Sequence, residues 1–176
     1  MSGRGRAATA GRWGLVVVVL VLLVVPGRLL AAEHDRDDAL VPYAGQRADG
    51  RVVPGQTWHV DAGVVSVGTD PMQVVEVRPR VTVDTAEADI TVRLCRPTTG
   101  GAVDRSTAPI AEECSSVSDV PTAGQVRLAP GTAQLVVSVT PRKPGRVQIE
   151  GYDVTYVDAE HRGTEHAGRE VVLRAL

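Results

Sequence analysis

Glu160, His161, Glu165 and His166 bring two imidazoles and two carboxylates close together near the C-terminal end of this 176-residue chain. Those donor types can hold a divalent cation such as zinc. The two histidines are five residues apart, which is neither helical nor strand periodicity and fits no metal signature. The four are therefore candidate ligands in what reads as a hydrated hairpin tip, and no cofactor is expected. Nucleophilic serine chemistry needs a strained Gly-x-Ser-x-Gly turn with a His–Asp pair behind it. Ser115, Ser116 and Ser118 follow Cys114 without that glycine frame. Asp84, Glu87 and Asp89 offer paired carboxylates of the kind glycoside hydrolysis uses, yet between two strand-like runs they read as a polar turn. Asp35, Asp37 and Asp38 lack the glycine and distal glutamate of an EF-hand loop. His34 and His59 stand outside any cluster in the sequence. Trp58, Tyr152 and Tyr156 can stack on sugars, but with only five aromatic residues in the chain the core has first claim on them. No enzymatic constellation emerges, and the chain is expected not to be an enzyme.

Cys95 and Cys114 are the only cysteines. In an exported chain they form one disulfide, closing a loop of about 20 residues and contributing roughly 3 kcal/mol through lost unfolded-state entropy. The compartment follows from the apolar run Gly14–Val25. It comes after Arg4, Arg6 and Arg12 and before the acidic Glu33, Asp35, Asp37 and Asp38. A bilayer core needs about 20 apolar residues, which this run reaches only by extending through Pro26, Gly27 and Arg28 toward Ala32. Trp13 stands where an interfacial aromatic belongs, and Leu15, Val19, Leu22 and Val25 would meet lipid. The run reads as a single-pass anchor with a cytoplasmic N-terminus. The alternative is a secretory signal cleaved near Ala31 or Ala32, where Leu29 or Leu30 makes a poor cleavage motif. Either way, residues 33–176 lie outside the cytoplasm.

Four of the 19 basic residues (Arg4, Arg6, Arg12, Arg28) precede Glu33 and no acidic residue does, leaving 15 basic against 21 acidic residues in the exported part. That balance excludes nucleic acid, whose binding modules are basic, and a polybasic grip on anionic lipid. The chain has no Asn, hence no N-glycosylation acceptor, and Lys143, its only lysine, precedes Pro144 and so forms no phosphate-binding loop.

The positioning elements follow in order. Residues 1–32 are the anchor or signal, and 33–55, charged and punctuated by Pro42, Gly45, Gly50, Pro54 and Gly55, read as a stalk. Residues 56–176 form the folded domain. There the period is two: Val75, Val77, Val81 and Val83 share one parity, as do Ile90, Val92 and Leu94. Pro79 makes the first of these runs an edge strand or splits it. Arg96–Gly124 reads as a long loop, pinned by the disulfide, and is a candidate recognition surface. Further strands are expected at 125–128, 134–140, 146–156 and 170–174, with 158–168 as a hairpin loop. Val147 and Ile149 have odd parity while Tyr152, Val154 and Tyr156 have even parity, so a β-bulge belongs at Gly151. Eight or nine short strands without an amphipathic helix predict an all-β fold. The expectation is an antiparallel immunoglobulin-like β-sandwich preceded by one N-terminal hydrophobic helix, with a jelly roll as the alternative. Trp58 precedes both cysteines, so the bridge is expected to pin a loop and not to join two sheets.

Gln134-Leu-Val-Val-Ser-Val-Thr-Pro141, Pro144-Gly145, Ile149-Glu-Gly-Tyr-Asp-Val-Thr-Tyr156, Arg162-Gly-Thr164 and Gly168 together resemble a pattern in N-terminally anchored proteins of high-GC Gram-positive bacteria. The resemblance covers roughly residues 56–176. It implies an exported immunoglobulin-like sandwich, no assigned activity and no catalytic residues to carry over. The expected function is therefore a membrane-tethered, extracytoplasmic interaction module that binds a protein partner or itself. A sugar- or metal-binding protein is the alternative.

Overall fold

A computed structural model describes residues 38–42, 45–98, 103–159 and 162–176. The anchor positions Trp13, Leu15, Val19, Leu22 and Val25 lie outside the described residues, as do Glu160 and His161. Among the described residues no helix is long and apolar enough to cross a membrane.

Two five-stranded sheets carry the fold. The strands are β1 (Arg47–Val52), β2 (Trp58–Asp61), β3 (Met72–Asp84), β4 (Asp89–Pro97), β5 (Arg105–Ser106), β6 (Cys114–Asp119), β7 (Gln125–Val126), β8 (Gln134–Thr140), β9 (Gly145–Val157) and β10 (Arg162–Ala175). One sheet has the order β1-β10-β9-β3-β7 and the other β5-β2-β8-β4-β6. All pairings between these strands are antiparallel except β1 with β10. The expected all-β sandwich is present. Its core gathers the inward parity of both sheets, including Trp58, Val60, Leu135, Val137, Val139, Val147, Ile149, Tyr152, Val154 and Leu173.

Particular residues explain particular elements. Val147 and Ile149 are buried, and so are Tyr152, Val154 and Tyr156. The parity switch falls at Gly151, which adopts a φ of +74°. Opposite it, the β10 register skips from Ala167 to Glu170, so Gly168 and Arg169 form the bulge and both halves of β9 keep their aliphatic side chains inward. β3 remains one strand through Pro79, with register shifts at Val74/Glu76 and Pro79/Val81. The first shift moves the inward position from Val74 to Val77, and past Pro79 the strand emerges from the core, leaving Val81 43% exposed.

Three expectations require correction. The compact unit begins at Asp38, not at residue 56. β1 pairs in parallel with β10 from Arg47↔Glu170 to Val52↔Ala175, and Leu40, Ala48 and Val52 are buried. The charges and glycine that suggested a stalk are those of an edge strand: Arg47, Asp49 and Arg51 face water, while Gly50 leaves room for the Trp58 ring, 2.6 Å from where a Cβ would stand. The stretch expected as a 158–168 loop is mostly strand, because β10 begins at Arg162. Arg96–Gly124 is a belt and not a bare loop. It contains β5, a four-residue helix α1 (Ile110–Glu113), β6 and a 3-10 turn at Val120–Thr122.

Candidate functional site

The site is built from the turn that joins β3 to β4. Asp84 accepts the backbone N–H groups of Ala86 and Ala88. Glu87 sits at a φ of 51°, in the left-handed region. The β8–β9 turn docks beside it: Arg142 and Lys143 donate their backbone N–H groups to the Ala86 carbonyl. The Arg142 guanidinium pairs with Asp89, and Lys143 Nζ lies 2.7 Å from Glu87 Oε1. Each of those two carboxyl groups is held below its ordinary pKa, chiefly by the hydrogen bond from its basic partner. Asp84, Glu87 and Asp89 thus shape and pair a surface turn, as its polar character suggested.

From this turn β3 descends in one sheet and β4 in the other, and their outer edges stay open. Among the described residues, β7 pairs only with Met72 and Gln73 of β3, and β6 only with Arg93–Pro97 of β4. Val74–Asp84 and Asp89–Val92 therefore present unpaired edges on the same flank. Between them lies a depression of about 270 Å³ lined by Val75, Val77, Pro79, Ile90, Val92 and Val120 together with Glu76 and Asp119. A second, more polar depression adjoins it through Asp119 and includes Arg93, Ser118 and Thr122. Strand edges beside half-buried aliphatic side chains are what an added strand needs: ladder hydrogen bonds along the edge and pockets for alternate side chains.

The belt closes the opposite face of the second sheet. β5 pairs with β2 and β6 with β4, at the two margins of that sheet. The Cys95–Cys114 disulfide is formed, with the Cα atoms 5.5 Å apart. Both cysteines belong to one sheet, so the bridge fastens the belt without linking the sheets, as expected. Cys95, Val103, Cys114 and Val136 form a small second core, with Ile110 and Val117 packed on it. This accounts for the unbroken apolar run Leu135-Val-Val137: Val136 faces the belt while its neighbours face the main core.

Two polar contacts between residues far apart in sequence lie near the belt. His59 Nδ1 is 2.7 Å from Ser138 Oγ, and Ser106 and Thr91 complete the same cross-strand row. Burial holds the His59 imidazole below its ordinary pKa, with Glu113 opposing that shift and Arg93 reinforcing it. Asp61 accepts a hydrogen bond from Arg169 at 2.8 Å across the two sheets, and the Arg169 backbone N–H donates to the Ala62 carbonyl. Burial pushes the Asp61 carboxyl up, against the pull of the Gly63 N–H and Arg169. The sequence carries only a positional signal for these pairs: His59 and Ser138 each occupy the polar parity of an apolar strand, 79 residues apart.

The remaining candidates are placed as follows. Glu165 accepts the backbone N–H groups of Ala39 (3.1 Å) and Leu40 (2.9 Å) and the Tyr156 hydroxyl, clamping the first described segment onto β10. His166 Nδ1 lies 3.2 Å from Asp153 Oδ1. Among the described residues no group of three or more His, Cys, Asp or Glu side chains could hold a metal ion. Trp58, Tyr152 and Tyr156 are 4%, 0% and 6% exposed, so no ring face is free to stack on a sugar.

No family model matches the chain. No curated protein matches it either. Among solved structures, a family 123 glycoside hydrolase from Clostridium perfringens, studied for glycolipid glycan hydrolysis, is similar at 10% identity and a TM-score of 0.29. The match covers 74% of this chain and 23% of that one. A likeness of that size bears on neither the fold nor the activity.

Proposed function

We propose that this chain is a non-enzymatic, extracytoplasmic cell-envelope protein in which an N-terminal apolar helix tethers one immunoglobulin-like β-sandwich, and the sandwich docks another protein or a second copy. The observation that carries the interaction reading is the open flank, where two unpaired edges border an aliphatic depression. Strand order supports the finer fold. Taken in chain order, β1, β2, β3, β4, β8, β9 and β10 correspond to strands A to G, with B-E-D adjacent in one sheet and C-F-G adjacent in the other. The belt is then an insertion between D and E, and A lies beside G. Export is supported by the basic-then-apolar start of the sequence and by the closed disulfide, since such bonds persist in oxidising compartments.

A photo-reactive residue introduced at Val77, on the flank, and at Val53, away from it, tests the reading in intact cells. Adducts at position 77 and none at 53 support it. Absence of adducts at 77, or recovery of the native chain from the cytosol with both thiols reduced, overturns it. N-terminal sequencing of the mature protein separates an anchor from a cleaved signal.

A further inference from the structure

We infer that the occupant of the open flank is a second copy of this chain, paired antiparallel along β3 with Val77 on the two-fold axis. The inference rests on the flank reading above and names its partner.

The argument is one of register. In an antiparallel ladder, directly opposed residues point to the same face of the sheet. On β3 the odd residues Val75, Val77 and Pro79 line the depression, and of the even ones only Glu76 borders it as well. Arg78 reaches back to Glu76 at 2.7 Å, and Arg80 reaches Asp153 on β9. Registers that oppose odd to even residues would set aliphatic side chains against charged ones and are disfavoured. Symmetric registers near the strand's middle then remain, and centring on Pro79 opposes Arg78 to Arg80, a like-charge contact. Centring on Glu76 opposes it to itself, and centring on Arg78 opposes that guanidinium to itself, each a like-charge contact. Centring on Val77 opposes Glu76 to Arg78 of the second copy, twice over.

That same register sets Val75 against Pro79 and Val77 against Val77. The result is a continuous aliphatic strip over the depression, in place of the solvent now above Ile90 and Val92. Glu76 and Arg78 already pair within one chain, so association exchanges one partner for another and leaves no charge unmatched. Pro79 has no N–H to donate, which limits the ladder to a short central stretch, and the two-fold closes the assembly so that it does not grow into a fibre.

The test uses the full chain in its own membranes. Cys95 and Cys114 are already bonded to each other, so an added cysteine is the sole free thiol. Val77→Cys should give a disulfide-linked dimer on non-reducing gels, reversed by reductant, whereas Val53→Cys should stay monomeric. Glu76→Arg with Val77→Cys should reduce that dimer several-fold, and adding Arg78→Glu should restore it. Dimer from Val77→Cys no greater than from Val53→Cys overturns the inference, as does a dimer indifferent to the charge reversal. If the photo-adducts at position 77 all have masses other than the dimer's, the second copy is wrong and the flank reading survives. If no adduct forms there at all, both fail.

Discussion

His59 of β2 meets the Ser138 hydroxyl of β8, and burial disfavours the charged form of its imidazole. In the unfolded chain it gains a proton as the pH falls through its ordinary value of 6.5, whereas in the fold it gains that proton only at lower pH. The unfolded state therefore binds more protons in that window, and stability drops as the pH is lowered through it. His59→Gln removes this titration. The loss in urea midpoint between about pH 7.5 and about pH 5.5 should be smaller for the variant than for the natural protein. An equal loss in both would mean that His59 does not sense the change. The Asp61–Arg169 pair carries a different kind of energy. Both side chains are largely buried and they join the two sheets, so removing Arg169 strands Asp61, and removing Asp61 leaves Arg169 only its longer contact with the exposed Asp104, at 3.7 Å. Asp61→Ala should cost roughly 3 kcal/mol, and the Asp61→Ala/Arg169→Ala double variant should cost much less than the sum of the singles. Chemical denaturation of the four proteins of that cycle measures the coupling.

At the level of elements, the belt shows what the sequence makes legible and what it hides. The cysteine pair was readable, because only two cysteines are present and they allow a single pairing. The irregularity at Gly151 was readable because period-two parity cannot change without one, whereas the matching extra residue across on β10, at Gly168 and Arg169, was not. The strands of the belt were hidden. β5 is two residues long, α1 is four, and β6 reads Cys-Ser-Ser-Val-Ser-Asp, so none has enough alternating aliphatic side chains to register as periodic. Their order comes from partners already in the sheet and from the disulfide. Replacing both cysteines by alanine should therefore cost about 3 kcal/mol. It should also concentrate new proteolytic cleavage within residues 98–113, while the far-ultraviolet signal of the sheets persists. Cleavage spread evenly over the domain would show that the bridge holds the whole sandwich together and not the belt alone.

For the whole molecule, the decisive feature is where the folded unit begins. Pro, Gly and alternating charges mark both a solvated stalk and a protected edge strand, and nothing local to residues 38–55 distinguishes them. The distinction lies about 120 residues away, in the free side of β10 and in the clamp formed by Glu165 and Tyr156. A chain begun at residue 56 loses the burial of Leu40, Ala48 and Val52, each worth on the order of 1–3 kcal/mol. It also uncovers the β10 edge from Glu170 to Ala175 and the face of Trp58 that rests over Gly50. Those losses are comparable with the whole stability of an ordinary domain, roughly 5–15 kcal/mol. Residues 56–176 alone should therefore be recovered aggregated or with a fluctuating core, whereas residues 38–176 should unfold in one cooperative transition. Near-ultraviolet circular dichroism of the two fragments separates these outcomes through the packing of Trp58. If the shorter fragment kept a native-like signal and the same denaturation midpoint, β1 would be an appendage, and the sandwich would begin where the change in sequence periodicity first placed it.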